Sequence, residues 1–166
     1  MPAVRVLCVI IGAMLLGVLM QSTVLAAWAP RFRLDLVTAM ATAFGLVAGP
    51  LAGGVAGLVG GLLGDMLTGR LVGLGMLTHA VVGLLSGLLG RRLFSENLLV
   101  PFGAGALLTC LEQTFYLLGA KAFGVVIPFG KSLAHFVLPS LWYNGVLTAL
   151  CFMLVHKASN HLTSSE

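Results

Sequence analysis

The stretch that decides the fold is Gly45–Gly75, GLVAGPLAGGVAGLVGGLLGDMLTGRLVGLG. Its glycines recur every fourth residue from Gly45 to Gly61, and Asp65 follows them within apolar sequence. Four-residue spacing places these glycines on one face of a helix. In lipid, such a face lets a neighbouring backbone approach closely, whereas an acid beside it needs a partner. The stretch therefore predicts a helix-packing seam that leads to a polar site.

The composition of the whole chain predicts an integral membrane protein. Of its 166 residues, 59% are hydrophobic and 8% are charged, and the mean hydropathy is +1.09. Soluble domains carry about 25% charged residues, which solvate their surface. The nine Lys and Arg residues give a net charge of +4. They lie between apolar runs, where basic residues set topology and contact lipid headgroups rather than nucleic acid.

The apolar runs predict an all-α membrane protein of about six transmembrane helices with short loops, in one domain spanning residues 1–166. The predicted helices cover residues 6–27, 34–48, 50–67, 71–90, 98–119 and 133–156. The second and third are divided at Gly49-Pro50, because one helix over both would be about 50 Å long, more than one crossing needs. The first run follows Arg5 as in a signal peptide, but it exceeds the length of a signal core and is interpreted as a helix.

The basic residues predict that both termini are cytoplasmic, because Arg91-Arg92 is the densest basic pair and such pairs favour the cytoplasmic side. With helices alternating in direction, a set of polar residues then shares the outer half of the membrane: Gln21, Asp35, Asp65, Arg70, Glu112 and His135. Two interpretations stay open. The acids are neutralised by nearby arginines at helix ends, or the set forms a polar pocket or docking surface that is open to the outside.

No spacing in the chain predicts an enzyme, a metal site or a bound cofactor. The glycine run lacks the Lys-Ser or Lys-Thr ending of a phosphate loop. His79 is interpreted as a hydrogen-bonded packing residue that forms no metal set with the other histidines. Cys8, Cys110 and Cys151 are interpreted as small packing residues, because each lies within an apolar run.

An ordered set of short motifs resembles the MreD family of rod-shape-determining membrane proteins. The resemblance covers most of the chain apart from the fifth helix and the connection that follows it. The shared motifs are Gln21-Ser22-Thr23, Leu34-Asp35-Leu36, Gly61-Leu62-Leu63-Gly64-Asp65, Gly73-Leu74-Gly75, and Leu138-Pro139-Ser140 with Asn144. Leu34 departs from the proline that the family usually carries at the start of its second helix.

The resemblance implies a non-enzymatic inner-membrane scaffold of the bacterial cell-elongation machinery, which helps to control peptidoglycan synthesis. It implies MreC as the direct membrane partner, and MreB, RodA and the elongation penicillin-binding protein as indirect partners. Together with the glycine seam and the outer acids, it predicts a partner-binding set of Gln21, Asp35, Gly53, Gly57, Asp65 and Arg70. The expected location is the bacterial inner membrane, with several spans in contact with lipid.

The main alternative is a transport protein. The MreD family is similar to the six-helix substrate-binding subunits of energy-coupling-factor vitamin transporters. On this hypothesis, Glu112, His135 and Asp65 bind a small polar vitamin in the outer half of the membrane. A channel or proton pathway ranks last, because the inner halves of the predicted helices carry almost no polar residues.

Overall fold

The computed structural model describes residues 2–28, 34–69, 71–92, 98–125 and 138–163, and these residues fold into helices without strands. The helices are α1 (Pro2–Met20, continued by a π-helical turn at Gln21–Leu25 and by Ala26–Trp28), α2 (Leu36–Ala48), α3 (Pro50–Thr68), α4 (Leu74–Arg92), α5 (Leu99–Ala122) and α6 (Leu138–Thr163). The predicted all-helical class is confirmed. The predicted start of the sixth helix, at residue 133, lies outside the described residues.

Three segments of the described chain are long and apolar enough to cross a membrane. They are Arg5–Leu25, Pro50–Thr68 and Leu138–Ser159. The apolar helices Leu36–Ala48 and Leu74–Gly90 are shorter than these spans. The described residues thus contain three candidate spans, and the six crossings stay a prediction.

The boundary between α2 and α3 falls at Gly49, as the sequence predicts. Gly49 has a φ of +94°, a backbone conformation that glycine adopts without steric cost, and its N–H donates to the Gly45 carbonyl oxygen at 2.9 Å. Pro50 takes the first position of α3, where its missing N–H removes no helical hydrogen bond. The two helices therefore form a hairpin with a one-residue link.

The glycines of this hairpin bring α4 into backbone contact. Among the described residues, α3 and α4 form the most extensive helix pair. A Cβ atom on Gly53 would collide with the carbonyl group of Gly83, and one on Gly57 with the carbonyl group of His79. Gly45 of α2 also faces Gly83. The predicted seam is thus present, and its occupant is α4 of the same chain.

The remaining helices pack around this hairpin through ordinary side-chain contacts. On one side, Ile10 and Met14 of α1 join Phe44 and Ala56 in a buried apolar cluster. On the other side, α6 packs against both α2 and α5. The polar residues described next lie near the first residues of α2, α4 and α6 and in the last turns of α1 and α3.

Candidate functional site: a buried polar cluster and an open groove

The amino end of α2 is held by side chains from two other helices. Gln21 Oε1, in the π-helical turn of α1, accepts hydrogen bonds from the N–H groups of Leu36 at 2.7 Å and Val37 at 3.2 Å. Asn144 Oδ1 of α6 accepts from the Asp35 N–H at 2.9 Å. Because the first N–H groups of a helix have no partner within it, these bonds satisfy donors that would otherwise be buried and unpaired.

Asp35 completes this cap with its own side chain. Its Oδ1 accepts from the Thr38 N–H at 3.0 Å, and its Oδ2 accepts from the Thr38 hydroxyl at 3.0 Å. An ionised carboxylate is favoured at this position, because the helix amino terminus carries partial positive charge. Asp35 is therefore fixed in position, with Oδ2 directed toward α4.

Asp65 performs the corresponding role for α4. Its side chain is buried at 4% exposure, and Oδ2 accepts from the N–H groups of Gly73 at 2.9 Å and Met76 at 3.1 Å. A Cβ atom on Gly75 would collide with the Asp65 carboxylate. The missing side chain at Gly75 thus allows the acid at the end of α3 to reach the start of α4.

A buried cluster of three titratable side chains lies where α2, α4 and α5 meet. His79 Nδ1 lies 2.6 Å from the Gly75 carbonyl oxygen, and Nε2 lies 3.4 Å from Asp35 Oδ2. Glu112 Oε1 lies 3.4 Å from the Thr78 hydroxyl. One ligand atom from each of Asp35, His79 and Glu112 lies within 4.8 Å of the other two.

Two carboxylates in one largely buried site repel each other, so either one of them is protonated or a positive charge compensates them. The side chains of His79 and Asp35 are 12% and 18% exposed, and Glu112 is 4% exposed. Water therefore screens their charges weakly, and the repulsion between the two acids is stronger than at a surface. A protonated His79 supplies one positive charge, and a bound cation would supply more. Chemically, the cluster can share a proton or bind a cation.

Two further buried polar side chains lie on the helix that follows Asp35 and on the helix that carries Glu112. Thr42 stands four residues after Thr38 on α2, and Thr109 stands three residues before Glu112 on α5. Both threonines are fully buried, and their hydroxyl groups have no hydrogen-bond partner in the described part of the chain. Most buried hydroxyls have a hydrogen-bond partner, so these two are exceptions among the side chains that the structure describes.

A groove opens between the end of α1 and the end of α3. It encloses about 450 Å³ and is lined by Val18, Gln21, Ser22, Leu25, Ala26, Leu34, Val37, Gly64, Leu67 and Thr68. A Cβ atom on Gly64 would have open space around it. The hydroxyls of Ser22 and Thr68 donate to carbonyl oxygens of their own helices. The groove thus presents mainly apolar surface and one uncovered glycine.

The predicted partner-binding residues take different positions in the structure. Gln21 borders the groove and caps α2, while Asp35 and Asp65 are caps whose carboxylates are used within the chain. Gly53 and Gly57 are buried against α4. Arg70 lies outside the described residues, as does His135 of the vitamin-binding hypothesis. The partner-binding role of the set stays a prediction.

The sequence interpretation missed the link between His79 and the two acids. It treated His79 as a hydrogen-bonded packing residue and left open whether the acids are neutralised by arginines or form a pocket, whereas in the described part of the chain His79 pairs with Asp35. The one available signal in the sequence was position along the helices. In helices that alternate in direction, residues at equal distances from the same membrane surface lie at one level. Which faces meet at that level depends on helix rotation, and the sequence pattern does not define that rotation.

Comparisons with protein-family models, with curated proteins and with solved structures find no match for this chain. The fold and the site therefore define a class only: an all-helical protein with three candidate membrane spans and a buried polar cluster among the described residues.

Proposed function

We propose that the chain is a multi-pass scaffold of the bacterial inner membrane, with six spans and cytoplasmic termini, and that it binds MreC. Through MreC it would connect to MreB, RodA and the elongation penicillin-binding protein and help to control peptidoglycan synthesis. The proposal begins from the resemblance to the MreD family. Three polar residues of the resembling motifs, Gln21, Asp35 and Asn144, meet in one cap of α2, which supports a shared architecture.

The groove between α1 and α3 is the observation on which the proposed MreC-binding site rests. Helices associate in lipid through close contact at small residues, and Gly64 is a small residue whose Cβ side is uncovered. Gly53 and Gly57 are small as well, but α4 covers them. We therefore assign the membrane helix of MreC to the groove at Gly64, next to the capping residues Gln21 and Asp65.

A bulky residue in the groove tests this assignment. Gly64→Leu would extend into the groove from a position where a Cβ atom meets nothing within 4 Å, so we expect MreC co-purification to fall about tenfold or more, a loss of about 1.4 kcal/mol or more in association. The matched control is Gly103→Leu on α5, where a Cβ atom also has open space. The control should retain the wild-type level of MreC.

Photo-crosslinking from the two surfaces provides a second readout in the same experiment. Leu67 in the groove and Leu107 on α5 are 54% and 55% exposed, so a crosslinking residue is accommodated equally well at either position. Crosslinks to MreC are expected from position 67 and not from position 107. Equal crosslinking from both positions, or full MreC binding by folded Gly64→Leu, would contradict the assignment.

A substrate-binding subunit of an energy-coupling-factor transporter is the second candidate. The groove volume of about 450 Å³ favours it, because pockets for small molecules enclose about 300–1,000 Å³. A vitamin released from the purified, denatured protein would support this function. Its absence, together with MreC in the same preparation, would support the scaffold.

A further inference from the structure

The cluster of Asp35, His79 and Glu112 has the composition of a metal site, and it is not used by the scaffold function. One imidazole and two carboxylates supply a mixed nitrogen and oxygen donor set. Imidazole suits zinc and other first-row transition metals, whereas magnesium and calcium prefer sites made of oxygen donors alone. The donor types therefore select a transition metal ion.

The orientation of His79 supports metal binding independently of the cluster's composition. The Gly75 carbonyl oxygen can only accept, so His79 Nδ1 carries the hydrogen of their 2.6 Å contact. In the protonated ring Nε2 donates to Asp35 Oδ2 at 3.4 Å, whereas in the neutral ring its lone pair is available to a metal ion. Metal-bound histidines are commonly held in this way, with the second ring nitrogen donating to a backbone carbonyl.

The distances suit closure around one ion. In a tetrahedral zinc site with bonds of about 2.0–2.1 Å, two ligand atoms are separated by about 3.4 Å. The contact between Asp35 Oδ2 and His79 Nε2 has this length, and the Glu112 ligand atom lies within 4.8 Å of both.

Charge balance is compatible with a bound divalent ion. Two ionised acids, a neutral histidine and a divalent ion are neutral together, as are one ionised acid, one protonated acid and a protonated histidine. A neutral assembly is favoured in a site shielded from water.

We propose that Asp35, His79 and Glu112 bind one divalent transition metal ion of the zinc class, which joins α2, α4 and α5. This site is independent of the scaffold function. A chain that binds zinc but not MreC would support the metal site and contradict the scaffold function. A chain that binds MreC but not zinc would support the scaffold function and contradict the metal site.

Zinc titration of the full chain tests the proposal directly. The protein would be purified in detergent with a tag that contains no histidine, treated with chelator, and titrated with Zn²⁺ in the presence of excess Mg²⁺. We expect about one Zn²⁺ per chain by elemental analysis, retained against Mg²⁺ because of the imidazole donor. A wild-type chain that binds no zinc would overturn the proposal.

Two substitutions distinguish the site from zinc bound elsewhere. His79→Asn keeps an N–H group near the Gly75 carbonyl and removes Nε2, and Glu112→Gln removes one charged oxygen donor. Each should weaken zinc binding about tenfold or more. His156→Asn is the matched control, because His156 is an exposed histidine of α6 that stacks on Phe152. It should bind as the wild type does.

Zinc binding that is unchanged in His79→Asn, or lost in His156→Asn, would overturn the assignment. The visible spectrum of the Co²⁺-loaded wild type keeps the test decisive if the variants fail to fold. A spectrum of low-coordinate cobalt with imidazole and carboxylate donors is expected, and a spectrum of hexa-aqua cobalt would refute the site.

Discussion

The two sides of α3 use glycine in opposite ways. On the side facing α4, Gly53, Gly57 and Gly61 each lie against backbone atoms of the neighbouring helix. On the side facing α1, Gly60 packs against Met14, but Gly64, one turn further, meets nothing within 4 Å. Glycines at four-residue spacing therefore form a closely packed interface on the α4 side of the helix, and on the α1 side they leave an open surface at Gly64. A glycine that is covered by a neighbouring helix contributes to the packing of the fold, whereas an uncovered glycine is accessible to a binding partner.

Replacing Gly57 should have the largest effect on folding. Gly57→Ala would place a Cβ atom against the His79 carbonyl, and relief requires a backbone shift because no flexible side chain lies there. Overpacking of this kind costs about 1–3 kcal/mol, and we expect about 3 kcal/mol here. The measurement is unfolding of the purified protein in detergent by titration with denaturing surfactant.

The matched variant for this measurement is Gly12→Ala on α1, where a Cβ atom meets nothing within 4 Å. If Gly57→Ala and Gly12→Ala unfold at the same surfactant concentration, the seam between α3 and α4 is not closely packed in the membrane protein.

The acid that ends α3 should have the next largest effect. Asp65→Leu removes the acceptor for the partly buried Gly73 and Met76 N–H groups. Unpaired buried donors cost about 1–3 kcal/mol, and we expect a loss of about 2 kcal/mol in the free energy of unfolding. The same surfactant titration measures it.

Asp65→Asn separates hydrogen bonding from charge, because the amide keeps one acceptor oxygen of similar shape. It should lose less stability than Asp65→Leu. Equal losses in the two variants would mean that the negative charge at the α4 amino terminus, rather than the hydrogen bonds, stabilises this helix junction.

The helices were predictable because they depend on local sequence. Apolar runs predict their existence, and Gly49-Pro50 predicts the boundary between α2 and α3 from backbone restrictions alone. The seam was predictable as a small-residue face, but its occupant was not. Spacing shows that Gly53 and Gly57 permit close approach, and it carries no information on whether the approaching helix belongs to the same chain.

The site was predictable only as a list of polar residues. Gln21 and Leu36 are 15 residues apart, His79 and Asp35 are 44 apart, and Asn144 and Asp35 are 109 apart. These contacts depend on how the helices rotate against each other. The sequence therefore predicted that polar groups share one level, and it did not predict that they form two helix caps and a cluster around His79.

The smallest expected change in the free energy of unfolding is at Gly64, and it is a gain in stability rather than a loss. Alanine is favoured over glycine in a helix by roughly 0.5–1 kcal/mol, because glycine loses more backbone entropy on folding. Since the Cβ of Gly64→Ala would enter open space, this gain has no packing cost to offset it, and stability should rise by about 0.5 kcal/mol. The surfactant titration used for Gly57→Ala measures both changes under one condition. A loss of stability in Gly57→Ala together with a gain in Gly64→Ala would show that α3 is closely packed on the α4 side and open at the groove. A loss of stability in Gly64→Ala would show that the groove is filled when the chain folds.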